Sequence, residues 1–181
     1  GVVNIALEAF MLVGAFVGAV VALQTGSPEL GFLAGGLAGA GAALVFAAAV
    51  IHGRANQVVA GTAMNLLVMG LIPLGLKLLY ESAGGTPTLA MENRFVFFPL
   101  WFAWILALIV WYFFRRTPLG LWVSFAGENP AALDAAGISV VKVRYSAVAI
   151  SGMLAALGGA TLSICLSSGY SRNMVAGRGF M

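Results

Sequence analysis

Apolar residues fall along the chain in blocks of about 20, the length an α-helix needs to cross a hydrocarbon core of about 30 Å. The first block, residues 5–23, is interrupted only by Glu8. A turn holding Gly26 and Pro28 separates it from the second, residues 30–51, in which Gly31, Gly35 and Gly39 recur at every fourth position. That spacing puts the glycines on one helix face. Van der Waals contact must replace hydrophobic drive between helices in lipid, so the stripe predicts a packing face rather than the wall of a conduit. The third block, residues 58–80, carries Asn65 in its interior and Pro73, where a kink is expected. The fourth, residues 95–114, has Trp101, Trp104, Trp111 and Tyr112 as aromatic residues suited to the headgroup region. In the fifth, residues 145–166, a second small-residue face is formed by Ser151, Gly152, Ala155, Ala156 and Gly159. The pattern predicts an all-α integral membrane protein with about five transmembrane helices.

Composition agrees. Of 181 residues, 61% are hydrophobic and 8% charged, which excludes a soluble globular domain. The formal net charge of +3 does not point to nucleic acid, because the basic residues stand singly or in pairs at the ends of apolar blocks. Cys165 is the single cysteine and reads as a small buried hydrophobe; His52, the single histidine, reads as an interfacial residue. The sequence contains no GxxxxGK[ST] phosphate loop, no metal-ligand spacing and no catalytic triad, so neither ATP hydrolysis nor membrane-enzyme chemistry is expected on this chain, and no cofactor.

One long stretch is neither uniformly apolar nor short: residues 115–144, RRTPLGLWVSFAGENPAALDAAGISVVKVR. It holds a complete local helix specification over residues 130–136. Asn129 is an N-cap residue, Pro130 suits N1, Ala131, Ala132, Leu133, Asp134, Ala135 and Ala136 favour helix, and Gly137 supplies the left-handed residue that ends it. Arg115, Arg116, Lys142 and Arg144 bracket this helix, which makes the stretch a cytoplasmic loop. Arg54 then falls on the same side, with Lys77, Arg94, Arg172 and Arg178 on or near the other. Five against four is a weak charge bias, so the loop decides the orientation.

GENPAALDAAGISVVKVRYSAVAISGMLAALGGA resembles the loop and following helix of the permease subunits of bacterial ABC importers, in the family that serves branched-chain amino acids, ribose-type sugars and nucleosides. GVVNIALEAFMLVGAFVGA also resembles that family, although Ala9 departs from its usual Glu-Gly. ANQVV, the buried Asn65 and GTPTL resemble the nucleoside branch. The resemblance implies a single transmembrane permease domain over residues 1–181, itself a portion of a larger polytopic permease, since Gly-Arg-Gly-Phe leads in that family into another membrane helix. It implies that Gly127, Glu128, Asn129, Pro130, Ala131, Ala132, Asp134, Gly137 and Ile138 couple the permease to a cytosolic ABC ATPase subunit. It implies a second permease subunit, an extracytoplasmic solute-binding protein, a multi-pass location in the bacterial cytoplasmic membrane, and no nucleic-acid partner. Asn4, Glu8 and Asn65 are the candidates for the translocation path; Asn65 equally suits a bond between helices. Polar residues and a broken helix near the midplane would also suit an ion-coupled secondary transporter, and a helix-packing fragment without a path is the third alternative.

Overall fold

The computed structural model describes residues 2–82, 84–89, 98–172 and 174–180, with the side chains of residues 98–100 and 180 excepted. Its helices are α1 (Leu7–Thr25), α2 (Pro28–Ala47), α3 (Gln57–Tyr80), α4 (Phe98–Arg116), α5 (Pro118–Glu128), α6 (Pro130–Ala135) and α7 (Val140–Thr161). Single π-helical turns, Ala48–His52 and Leu162–Leu166, extend α2 and α7. Four of these are long and apolar enough to cross a membrane, and α4 with α5 makes a fifth if the bent pair is counted as one span. The protein is thus a multi-pass, all-α membrane protein. The start of the fourth expected span, residues 95–97, and the end of the polar loop before it, residues 90–94, lie outside the described residues.

Small residues set the centre. An added Cβ at Gly31 would lie 2.5 Å from the Gly18 carbonyl oxygen, and one at Gly35 would lie 2.7 Å from that of Gly14. At Gly39 it would collide with Ala156, and at Gly159 with the backbone of Met11. The stripe on α2 and the second small-residue face on α7 therefore both serve packing, and α1, α2 and α7 pack on one another with main chains in near contact. Matching Gly14 with Ala156 and Gly18 with Ala160 makes α1 and α7 parallel; matching Gly18 with Gly31 and Gly14 with Gly35 makes α2 antiparallel to both. Phe10 and Phe46 fill the wider part of the interface edge to face, with centroids 6.2 Å apart. α3 lies against α1 through Gly61 and Gly75, and leaves Leu66, Leu71, Leu74 and Leu78 on its open side.

The segment after α4 corrects the sequence expectation. Residues 115–144 hold two complete helices, α5 and α6, not one: α4 runs to Arg116, the chain turns by 74°, and α5 follows. Thr117 explains the restart, because its Oγ1 accepts from Gly120 N at 3.2 Å while Pro118 occupies the first helical position. α7 also begins earlier than the apolar block, at Val140, since Val140 and Val143 turn inward to meet Ala126 and Leu133 in a satellite core with Trp122, Val123 and Ile138.

After Leu166 the chain turns back: Tyr170 packs edge to face on Phe16 at 5.8 Å, and Gly177 and Gly179 reach the first turn of α1. Residues 84–89 run beside this returning segment, with Thr86 N donating to Tyr170 O at 2.9 Å, Leu89 N to Ser168 O at 2.7 Å, and Arg172 N to Gly84 O at 2.9 Å.

Candidate functional site

α1 starts deep in the bundle. Its first turn faces Asn65, 8 residues and about 12 Å along α3, and Asn4 just before it faces Ser151, 11 residues and about 16 Å along α7. Residues 2–6 below it are not helical, and Gly177, which meets Glu8 from the other side, stands outside any helix just before a single 3₁₀ turn, Arg178–Phe180. Irregular backbone at such depth must be paired within the protein or line a polar cavity, and both occur here.

Ala6 at the N-cap of α1 has no side chain that could cap it. Asn65 does that work from α3: its Oδ1 accepts from Ala9 N at 3.0 Å, and its Nδ2 donates to Ile5 O at 3.2 Å. The residue is 8% exposed, so both ends of its amide are committed to the main chain of α1. Glu8, 7% exposed, sits in the first turn of the same helix, where the unpaired backbone N–H groups favour an anion. Its Oε1 accepts from Gly177 N at 3.0 Å, and Gly179 packs against its backbone. Asn4 is half-buried; its Oδ1 accepts from Ala6 N at 3.2 Å and its Nδ2 donates to Ser151 Oγ at 3.3 Å. The three sequence candidates Asn4, Glu8 and Asn65 thus come together around one helix start. Ser151 and Gly177 belong to the same cluster, although the sequence pattern places Ser151 on a packing face and Gly177 in the tail; no local signal in the sequence joins them to Glu8.

The second candidate region is the loop. Asn129 Oδ1 accepts from Ala132 N at 3.2 Å, Pro130 is at N1, and Gly137 has φ +77° with its N–H donating to Asp134 O at 2.9 Å. Of α6 only Leu133 is buried; Gly127, Glu128, Asn129, Pro130, Ala131, Ala132, Asp134 and Gly137 are exposed, and Ile138 is half-buried against the satellite core. The short helix is therefore a protruding knob fixed by one leucine. Arg144 ties its base to α7, Nη2 donating to Ala126 O at 3.3 Å. Beside it His52 Nδ1 and Tyr145 Oη are 2.6 Å apart, which joins the end of α2 to the same turn of α7. Between the two regions lies a cleft of about 230 Å³, bounded by Asn4, Ser151, Arg144, Gly127 and apolar side chains of α5 and α7.

Among the described residues no group of His, Cys, Asp and Glu is arranged to hold a metal. No solved structure matches the chain. Among curated proteins, a guanosine ABC transporter permease protein, NupQ of Bacillus subtilis, is 34% identical over the whole chain, which covers 64% of that protein. A nucleoside ABC transporter permease protein, NupC of Lactococcus lactis, is 33% identical with the same coverage. A putative glucose ABC transporter permease protein, TsgC13 of Haloferax volcanii, is 36% identical, again over the whole chain and 60% of its own length. The chain spans less than two thirds of the length of these relatives. The family model for the permease component of the branched-chain amino acid transport system matches residues 1–181, and the chain belongs to that family.

Proposed function

We propose that this chain forms part of the membrane-spanning permease of an ATP-driven ABC importer in the bacterial cytoplasmic membrane, carrying nucleosides or simple sugars. The observation that carries this reading is likeness over the entire chain to permeases named for guanosine, nucleosides and glucose. A solute-binding protein delivers the solute from outside, a second permease subunit completes the enclosure, and cytosolic ATPase subunits hydrolyse ATP. The exposed α6 knob, with Glu128, Asn129, Asp134 and Gly137, is the coupling helix that seats in the ATPase. For α6 to couple, ATPases with and without nucleotide must contact it differently, because a partner that binds both states equally shifts neither. Asn4 and Glu8 face the translocation path, and Asn65 shapes that path by fixing where α1 begins.

The test is co-purification of the intact permease with its ATPase subunit, comparing the native loop with one in which residues 129–137 are replaced by a Gly/Ser linker. The native protein should retain the ATPase and the replaced one should lose it. Failure of both to hold an ATPase, with uptake that follows an ion gradient, would establish a secondary transporter instead.

A further inference from the structure

We propose that the cleft between the start of α1 and the coupling loop is a solute subsite on the cytosolic side, and that it takes a neutral, oxygen-rich solute moiety such as a sugar ring. This rests on the importer reading above and assigns the site and its chemistry. The cleft of about 230 Å³ is smaller than the 300–1,000 Å³ of pockets that enclose a drug-sized ligand, so it holds one ring rather than a larger solute. Its walls are Val2, Val123, Val143, Ala147 and Val148, which give a ring face an apolar surface.

The polar groups in it are donors. Arg144 Nε is buried without a hydrogen-bond partner, although Nη2 of the same guanidinium is engaged by Ala126 O. Nε itself has no accessible surface, so what Arg144 offers the cleft is the positive charge of its guanidinium. Ser151 Oγ accepts from Asn4, which leaves the hydroxyl proton to be donated. Asn4 spends its Oδ1 on Ala6 N and one amide hydrogen on Ser151, and has a second hydrogen to offer. No carboxylate is among the described residues that line the cleft. A cation is therefore repelled by Arg144. An α-amino acid could place its carboxylate on Arg144 but would leave its ammonium desolvated without a counter-charge. Hydroxyl and carbonyl oxygens match the donors of Ser151 and Asn4 beside this cationic wall. Gly127, which opens the coupling loop, lines the same cleft, so movement of α6 changes the shape of the subsite directly.

The experiment uses the intact permease with its ATPase in inside-out vesicles, with Ser151→Cys in a Cys165→Ala background and, as a second position one turn away, Ala147→Cys. A membrane-impermeant thiol reagent is added to the exposed cytosolic face with guanosine, glucose, leucine or lysine as probe. Guanosine or glucose at saturating concentration should slow labelling about fivefold or more at both positions, while leucine and lysine leave it unchanged, as expected when a solute ring covers a donor it is hydrogen-bonded to. Cysteines that do not react at all, that are protected by neither guanosine nor glucose, or that are protected equally by leucine would overturn the subsite. ATP-driven uptake by the Cys165→Ala protein, with Ser151 and Ala147 native, is measured in parallel. Uptake without protection removes the subsite and leaves the importer; absence of ATP-driven uptake removes both.

Discussion

Asn65 shows how one side chain can settle where a membrane helix starts. Its amide bonds the main chain of α1 at two points, Ala9 N and Ile5 O, and neither group has water available as a substitute at that depth. Asn65→Leu keeps the volume and leaves both groups unpaired, which should destabilise the fold by about 2 kcal/mol or more, read as a lower midpoint of thermal unfolding in detergent. An unchanged midpoint together with altered solute selectivity would show that Asn65 touches solute rather than positioning α1. Gly137 makes a different demand. At φ +77° it has open space around the position of a Cβ, so the cost of Gly137→Val is backbone strain alone, about 1–2 kcal/mol, concentrated in the end of α6. Folding of the bundle should survive, while solute uptake per ATP hydrolysed falls. Wild-type uptake by this variant would remove Gly137 from the coupling assignment.

The helices were legible to different degrees, for reasons that lie in what each one packs against. α1, α2, α3 and α7 are announced by length and apolarity, because lipid demands both. The stripe of Gly31, Gly35 and Gly39 was legible as a packing face because only small residues let two backbones approach so closely. α6 was legible because its cap and stop are local. α5 carries the same kind of signal, Thr117 followed by Pro118, yet its glycines and the neighbouring basic pair read as loop; what makes it a helix is burial of Ala126 against α7. The π turns at 48–52 and 162–166 have no such signature. Position within a helix then decides tolerance. Gly39→Val meets Ala156 and Gly152 and should abolish accumulation of folded protein, whereas Gly41→Val, two residues on with nothing within 4 Å of its Cβ, should accumulate normally. Equal loss from both would mean that glycine is needed for backbone flexibility rather than for close packing.

At the scale of the whole molecule the returning tail is the feature that no local pattern announces, because its partners are far away in sequence: Gly177 and Glu8 are 169 residues apart. Glu8 joins the tail to the helix start that Asn65 and Asn4 also define, so its carboxylate combines a structural task with a place beside the proposed path. The two are separable by chemistry. Oε1 is the oxygen that Gly177 N uses, and in Glu8→Gln a carbonyl oxygen still accepts that bond, while the other oxygen becomes an NH₂ donor and the negative charge is lost. Glu8→Leu removes the acceptor altogether and leaves Gly177 N without it. If Glu8 only anchors the tail, Glu8→Gln should match the native protein in thermal midpoint and uptake, with Glu8→Leu lower in both. The placement of Glu8 among polar groups that converge on α1 leads us to expect a split: Glu8→Gln with a native midpoint, and uptake reduced about tenfold because an acceptor on the path has become a donor. Native uptake by Glu8→Gln would return the residue to a purely structural role and leave Asn4 and Ser151 to carry the polar side of the path.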